Sequence, residues 1–371
     1  MLGNNALSTL SAQRANEHKP VRVCIRGIFG LLGSRIALAI RKNPDMRLTV
    51  GIAKRDPTLE EALRSMKPLP EEIARSACAE KMYLDDKHDI VREVNESQLV
   101  KFEPADQLSL AKECDIIIDA ASPGSSEKWL ERYKASKKPV ILQSGEEPRW
   151  HTIIPPKIRK IGLEENIFRQ GDCVLSGIVP VLTYLSPLLS RATMHILTQY
   201  TDKLNDYTTD DRMGTTYIRE DVKEHVKNEL APLFPDTEIV LLGVSQVSGL
   251  SYYTATMLLD TKYPISGEEL TSCLEGKPRI RVVPDIKSTF EIARYHKERM
   301  HAFGREIPPI TVFGSDLTSR EKTTMLRLMI AIDYRYIAVL PNIDAVRMLA
   351  LGMSGEKAMR ETDRNMGFVQ Q

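Results

Sequence analysis

The chain has 371 residues, of which 42% are hydrophobic and 27% charged, and its net charge is +1. This length predicts two domains with substantial cores. The balanced charge argues against nucleic acid or an anionic membrane as a partner, and no apolar run reaches the ~18 residues of a membrane span. The five cysteines are widely spaced and odd in number, which favours a reducing, cytoplasmic location over a disulfide framework. Residues 1–19 are interpreted as a disordered tail, and no cluster of metal-ligating side chains is recognised.

Strand and helix patterns alternate through the N-terminal part of the chain. Val21 to Ile25 is a β-branched apolar run typical of a buried strand, and a helical pattern follows from Ser34. Further strands are predicted at 47–53, 115–121 and 139–143, and helices at 59–76 and 127–135. This alternation predicts a doubly wound parallel sheet, which is a Rossmann domain, over residues 20–150.

Three glycines separate the first predicted strand from the first predicted helix. They are Gly27, Gly30 and Gly33, in the sequence R-G-I-F-G-L-L-G. Glycines at this point let the backbone turn tightly and approach a pyrophosphate at the helix N-terminus. The context therefore predicts a dinucleotide site, and a tight strand-to-helix turn without a ligand is the alternative interpretation.

Two cations follow the second predicted strand. An acidic residue often occupies this position, where it binds the ribose hydroxyls of NAD. Lys54 and Arg55 stand there instead, which favours the 2′-phosphate of NADP, with NAD as the second choice. A solvated basic turn is the alternative interpretation.

The C-terminal part has a different organisation. Longer alternating segments predict mostly antiparallel strands at 192–200, 238–248, 251–260, 311–314 and 326–331. Helices are predicted at 221–230, 268–275, 288–301 and 342–353, and Ser288 with Glu291 has the spacing of a capping box. We expect an α+β catalytic domain over residues 151–340, followed by helices over 341–371 that pack back on the Rossmann domain.

Cys173 lies where this second domain opens, at the predicted start of a helix. A helix N-terminus favours the thiolate, which could attack an aldehyde and then form a thioester. A buried structural cysteine is the alternative interpretation. His195 and His225 follow in the same domain as candidate bases, although such a histidine is more often a surface or packing residue.

Several segments together resemble the archaeal-type (type II) glyceraldehyde-3-phosphate dehydrogenases. They are VRVCIRGIFGLLGSRIALAI, IIIDAASPGSS, ILQSGEE, GDCVLSGIVPVL, IKSTFEIARYHKERM and LPNIDAVRMLALG. The resemblance implies a Rossmann domain with a catalytic α+β domain, usually in a tetramer, and NADP or NAD as cofactor. It implies oxidation of an aldehyde, which could be phosphorylated, to an acyl phosphate through a thioester on Cys173.

The resemblance also assigns roles by position. Leu31 and Leu32 would lie against the pyrophosphate, Gly124 near the adenosine, Lys54 at the 2′-phosphate and Asn342 at the nicotinamide amide. The residues that flank the nucleophile, Asp172 and Val174, are the candidate substrate contacts.

The sequence departs from the family in the expected substrate pocket. Val174, Leu175 and Ser176 replace Asn-Thr-Thr after the cysteine, ELAPLFPD lacks the family's histidine pair, Gln199 and Tyr200 replace two arginines, and Tyr334 replaces Gln. The leading hypothesis is an NADP-preferring aldehyde dehydrogenase in which His225 is the replacement base. A catalytically silent nucleotide-binding or assembly protein is the competing hypothesis. A Rossmann reductase similar to dihydrodipicolinate reductase is a third.

Overall fold

A computed structural model describes residues 19–53, 75–85, 100–122, 124–143, 150–160, 166–199, 216–247, 252–303, 308–314, 317 and 319–368. The chain divides into two compact units. The first comprises residues up to Ile153, Lys160–Asp172 and Val339–Ala358, and the second comprises Ile154–Arg159, Cys173–Ala338 and the residues from Met359. Within the described residues, no helix is long and apolar enough to cross a membrane.

The first unit contains short strands separated by helices. Its strands are β1 (Val21–Arg26), β2 (Met46–Ala53), β3 (Lys81–Leu84), β4 (Glu103–Pro104), β5 (Ile116–Asp119), β6 (Val140–Leu142), β7 (His151–Ile154) and β9 (Ile167–Gln170). Its helices are α1 (Leu31–Arg41), α2 (Leu110–Glu113), α3 (Leu130–Ser136) and α9 (Leu340–Ala350), with 3-10 turns at Ala105–Gln107 and Ser125–Trp129. The predicted tail up to residue 18 and most of the predicted helix 59–76 lie outside the described residues.

From β4 to β7, the strand pairs of the first unit are parallel. Eight strands of a nine-stranded sheet lie in this unit, in the order β4-β3-β2-β1-β5-β6-β9-β7, so the chain turns back at β1, between β2 and β5. Val23, Ile25 and Ile117 are fully buried, as expected for strands covered on both faces. The doubly wound parallel sheet predicted from the alternating pattern is therefore confirmed.

The first unit extends further along the chain than the predicted boundary near residue 150. Strand β9 pairs in parallel with β6 and β7, which brings Ile167 to Gln170 into the first sheet. Helix α9 joins this unit through Arg347, whose buried guanidinium donates to both carboxylate oxygens of Asp45 at 2.7 and 2.8 Å and to Asn43 at 2.7 Å. These contacts between segments remote in sequence account for the difference from the predicted boundary.

The second unit is an α+β structure. Its strands are β8 (Lys157–Arg159), β10 (Leu189–Gln199), β11 (Thr216–Ile218), β12 (Glu238–Val247), β13 (Tyr253–Ile265), β14 (Ile280–Val283), β15 (Ile310–Phe313) and β16 (Thr323–Ile332). Its helices are α4 (Cys173–Leu185), α5 (Glu220–Leu230), α6 (Gly267–Leu274), α7 (Thr289–Phe303) and α8 (Tyr334–Ile337), with 3-10 turns at Ser186–Leu188 and Ala231–Leu233. A last helix, α10 (Gly355–Met366), begins in residues of the first unit and ends in residues of the second.

A seven-stranded sheet forms the frame of the second unit, in the order β11-β12-β10-β13-β16-β15-β14. Most neighbouring strands are antiparallel, as predicted, while β10 with β12 and β14 with β15 are parallel. The apolar helix α4 lies in the core of this unit. A Cβ on Gly177 would lie 2.5 Å from Ile332 Cδ1, so the close approach of α4 to β16 requires glycine there.

The end of the chain does not follow the predicted placement of the whole segment 341–371 on the Rossmann domain. Asp363 of α10 accepts from the Arg279 backbone N–H at 2.6 Å and from its Nε at 2.8 Å, with both side chains buried. This charge pair holds the end of α10 in the second unit, whereas Arg347 holds α9 in the first.

Candidate cofactor and nucleophile sites

The glycine loop, residues 27–33, is built from backbone contacts that exclude side chains. Gly27 has φ +77°, and a Cβ there would lie 2.7 Å from the carbonyl oxygen of Ala120. A Cβ on Gly33 would lie 2.1 Å from the carbonyl oxygen of Gly27. Glycine is therefore required at both positions by left-handed backbone or by close packing.

The last three residues of this loop, Leu31 to Gly33, form the first turn of α1. Gly30 is the N-cap, Leu31 and Leu32 are the first two helical residues, and the turn carries no acidic side chain. Leu31 is 52% exposed, so the helix N-terminus is open to solvent. Backbone N–H groups and the positive end of the helix dipole favour an anion here. The loop and the helix together fit the pyrophosphate of a dinucleotide.

A buried ion pair lies directly before the loop, and sequence reasoning missed it. Arg26 Nη1 donates to both carboxylate oxygens of Asp119, at 3.0 and 2.9 Å, and Tyr133 donates its hydroxyl to Asp119 at 2.8 Å. Burial raises the pKa of the Asp119 carboxyl, and the Arg26 guanidinium opposes that rise. The sequence does contain a pattern that indicates this pair. Arg22 and Arg26 are separated along one apolar segment by the same number of residues as Asp115 and Asp119 along another.

The structure describes two of the other predicted cofactor residues, Gly124 and Asn342. Gly124 is exposed with φ +74° and precedes the 3-10 turn Ser125–Trp129. Asn342 is fully buried on α9, and its Oδ1 accepts from Gln143 Nε2 at 2.6 Å. Lys54 and Arg55 lie outside the described residues. The structure thus places five predicted residues, from Gly27 to Gly33, in one loop.

Cys173 is the first residue of α4, as predicted. Its side chain is half-buried and packs against the core of the second unit. All five cysteines lie among the described residues and are reduced thiols, and Cys24 and Cys114 are fully buried. Burial raises the pKa of the Cys24 thiol, and the neighbouring Cys114 adds to that rise. Position and exposure distinguish Cys173 from these two core cysteines as a candidate nucleophile.

The residues that flank Cys173 face different surroundings. Asp172 is half-buried, whereas Val174 is only 4% exposed and belongs to the core of the second unit. Leu175 and Ser176 are buried too. The first turn of α4 therefore presents mainly apolar side chains to the interior.

His225 lies on α5, which packs against α4. Its Nε2 lies 2.8 Å from Glu229 Oε1, one helical turn further on, and 40% of its side chain is exposed. A carboxylate bound to one ring nitrogen orients the imidazole and fixes its tautomer. Tyr334, where the resembling family has Gln, stacks on Tyr253 with ring centroids 5.8 Å apart.

The glycine loop, the doubly wound sheet and the α+β unit define a dinucleotide-binding Rossmann fold with a second, catalytic-type domain. The same fold occurs in aspartate semialdehyde dehydrogenase II from Vibrio cholerae, in a structure with ASA, with a TM-score of 0.57, 13% identity and coverage of 94% of this chain and 100% of that chain. It also occurs in aspartate semialdehyde dehydrogenase from Candida albicans, in a structure with NADP, with a TM-score of 0.56, 11% identity and coverage of 95% and 100%.

The sequence itself is similar along nearly its whole length to proteins named glyceraldehyde-3-phosphate dehydrogenase. The protein of Hyperthermus butylicus is 24% identical over 94% of this chain and 98% of its own length. That of Sulfolobus acidocaldarius is 24% identical over 93% of this chain and 97% of its own length. No family model matches the chain.

Proposed function

We propose that the protein is an NAD(P)-dependent aldehyde dehydrogenase, resembling phosphorylating glyceraldehyde-3-phosphate dehydrogenase, with Cys173 as the nucleophile. The observation that carries the proposal is the half-exposed thiol at the first residue of α4, in a chain whose other unit has a glycine loop fitted to a dinucleotide. The relatives named glyceraldehyde-3-phosphate dehydrogenase and the semialdehyde dehydrogenase fold support it.

The chemistry begins with the Cys173 thiolate, which the N-terminus of α4 favours. The sulfur attacks the aldehyde carbon, and the resulting thiohemiacetal loses a hydride to leave a thioester on Cys173. A bound nicotinamide cofactor supplies the hydride acceptor. Inorganic phosphate then displaces the sulfur, which releases an acyl phosphate and restores the thiolate. Asp172, which precedes Cys173 in the chain, is the proposed substrate contact together with Val174.

His225 is the proposed base that takes the thiohemiacetal proton. Its bond to Glu229 would orient the imidazole and fix its tautomer. His225→Asn should lower kcat by about 100-fold or more, in the range for loss of a general base. Glu229→Gln keeps the hydrogen bond without the charge and should cost less. Equal rates for wild type and His225→Asn would exclude this role.

NADP is the proposed cofactor, with NAD as the second choice. Gly27, Gly30, Gly33 and the first turn of α1 would hold the pyrophosphate, with Gly124 near the adenosine and Asn342 at the nicotinamide amide. The basic pair after β2 would bind the 2′-phosphate, and a neighbour of this fold was solved with NADP. Lys54→Ala should weaken NADPH more than NADH, with Arg55→Ala as the companion variant. Equal losses for both cofactors would remove the basis for the NADP preference.

A silent nucleotide-binding or assembly protein is the second candidate function. The burial of Val174 and Ser176 favours it, because neither side chain is presented to a substrate as the polar residues of the resembling family are. A panel of aldehydes, phosphorylated and not, with NADP and with or without phosphate or arsenate separates the two functions. Turnover that Cys173→Ser abolishes supports the dehydrogenase, whereas NADPH binding without turnover supports the silent protein.

The proposed partners are a small aldehyde and further copies of the chain, as a tetramer in the cytoplasm. Light scattering of the purified protein measures the oligomeric state. A monomer at the working concentration would remove the tetramer from the proposal without affecting the cofactor or the nucleophile.

A further inference from the structure

Two ion pairs connect the same two strands of the first unit. Arg22 and Arg26 both lie on β1, while Asp115 directly precedes β5 and Asp119 is its last residue. At the amino end, Arg22 Nη2 lies 3.1 Å from Asp115 Oδ1, with 39% of the Arg22 side chain exposed. At the carboxyl end, the Arg26–Asp119 pair is buried, with 3% of either side chain exposed. Only the carboxyl-end pair lies where a doubly wound sheet binds its ligand.

The carboxyl-end pair reaches into the segment that follows β5. Arg26 Nη1 donates to Ser125 Oγ and Nη2 to the Ser125 carbonyl oxygen, both at 3.2 Å. On the other partner, Asp119 Oδ1 accepts from the Ala121 backbone N–H at 3.1 Å. The pair is therefore bonded to both ends of the β5 loop, which we define as residues 120–122, 124 and 125.

The β5 loop and the glycine loop touch directly. Gly27 follows Arg26 in the chain, and the backbone of Ala120 lies so close that a Cβ on Gly27 would be 2.7 Å from its carbonyl oxygen. The Ala120 N–H donates to the Arg26 carbonyl oxygen at 2.9 Å. The side chains of Arg26 and Asp119 thus brace two loops that already meet through their backbones.

The charge of Arg26 is compensated within the pair. Arg26 Nη1 donates to the Asp119 carboxylate, and the Asp85 carboxylate lies 3.8 Å from Arg26 Nη2. The guanidinium also lies 5.3 Å from the centre of the Trp129 ring. A buried arginine enclosed in this way has no exposed donor to offer a phosphate, so its contribution is geometric rather than electrostatic.

We infer that the Arg26–Asp119 pair is a clamp that fixes the β5 loop against the glycine loop, which makes Arg26 a positioning residue for dinucleotide binding. The inference about cofactor affinity depends on the proposed function, whereas the inference about loop order does not. A clamp of this kind raises affinity because the loops do not have to be ordered when the ligand binds.

The test compares two double variants at opposite ends of the same strands. Arg26→Met/Asp119→Asn removes the clamp without leaving a lone buried charge. The asparagine keeps one oxygen as acceptor for the Ala121 N–H, and its NH2 group faces the Tyr133 hydroxyl, which can accept from it. Arg22→Met/Asp115→Asn is the matched control. Hydrogen exchange is measured without ligand on residues 120–125 and 27–33, and NADPH affinity is measured by fluorescence titration.

The clamp variant should exchange these amides at least about tenfold faster and bind NADPH at least about tenfold more weakly. The control should match wild type within about twofold in both measurements. Unchanged exchange in the clamp variant would overturn the inference. Faster exchange with unchanged NADPH affinity would overturn the positioning role. If wild type does not bind NADPH at ~1 mM, the proposed function is wrong, but the exchange measurement still tests the clamp.

A conservative single variant tests the inference if the double variant does not fold. Arg26→Lys keeps the charge beside Asp119. A single ammonium group cannot replace the planar guanidinium, which bonds Asp119, Ser125 Oγ and the Ser125 carbonyl oxygen together. It should also loosen residues 120–125 and weaken NADPH. Exchange and affinity equal to those of wild type would overturn the inference.

Discussion

Gly33 lies so close to Gly27 that a Cβ on Gly33 would be 2.1 Å from the Gly27 carbonyl oxygen. The obstacle is backbone rather than a flexible side chain, so Gly33→Ala must shift the start of α1 away from the loop. We expect a loss of more than ~1 kcal/mol in the free energy of unfolding together with weaker NADPH binding, measured by urea unfolding and titration.

Gly276→Ala is the control for this prediction, since Gly276 lies outside the proposed cofactor site. A Cβ there meets no atom within 4 Å, so only the left-handed backbone at φ +66° is strained. That strain costs about 1 kcal/mol. A Gly33→Ala protein with the stability and NADPH affinity of wild type would contradict the packing described for the loop.

Cys173 and Cys273 form a matched pair for thiol reactivity. Both are half-buried, but Cys173 is the first residue of α4 and Cys273 lies next to the last residue of α6. The positive end of a helix dipole lies at the first position and not at the second, and a helix N-terminus activates a thiol. Limited alkylation by iodoacetamide, followed by peptide mapping, should therefore modify Cys173 first. Cys24 and Cys114 should stay unmodified in the native protein because they are fully buried. Cys273 reacting as fast as Cys173 would argue against an activated nucleophile.

His296 should make the protein sensitive to acid. It is 6% exposed, stacks on Tyr252, and neither ring nitrogen has a hydrogen-bond partner among the described residues. Burial lowers its pKa from 6.5 to about 4, while the nearby Asp333 raises it and Arg335 lowers it further.

The unfolded chain therefore binds this proton at a higher pH than the folded protein does. The stability associated with neutral His296 is fully present above pH 6.5 and is lost as pH falls towards 4, by roughly 3 kcal/mol in all. His296→Phe keeps a ring against Tyr252 and should lose less stability over this range in urea unfolding at several pH values. Parallel pH curves for the two proteins would contradict the burial of an uncharged imidazole.

Arg347 should contribute more to stability than an exposed ion pair does. Its side chain is fully buried and bonded to Asp45 and Asn43, whereas Arg294 pairs with Glu298 on the exposed face of α7. Arg347→Met should cost about 2 kcal/mol, because it removes the bonds of a fully buried guanidinium to Asn43 and to Asp45, whose side chain is 27% exposed. Arg294→Met should cost less than ~1 kcal/mol. Comparable urea-unfolding midpoints for the two variants would show that α9 is held by its apolar face alone.

The fold was predictable where the pattern of side chains is simple. The apolar runs of β1 and β5 and the glycines between β1 and α1 predict a doubly wound sheet, and the structure confirms it. Strand β9 was missed because Arg169 and Gln170 make it look polar, although both are buried. A single sequence does not show which polar residues are buried.

In the candidate cofactor site, the glycine positions were predictable from the sequence, but the side-chain contacts were not. Gly27 and Gly33 are recognisable because the chain conformation itself requires glycine. The Arg26–Asp119 pair depends on which strand neighbours which, and that order is set by long-range contacts rather than by spacing along the chain. The predicted positions of Cys173 on a helix start and of the glycine loop agree with the structure, while their roles stay predictions.

The central claim is that Cys173 carries the substrate as a thioester. The most direct measurement is a single turnover with excess NADP and a reactive aldehyde, without phosphate, followed by intact-mass analysis. We expect a burst of at most one NADPH per chain and a mass increase that corresponds to the acyl group. Both should be absent in Cys173→Ser, and added phosphate should remove the acyl group. An unmodified mass with no burst, in wild type that binds NADPH, would contradict it.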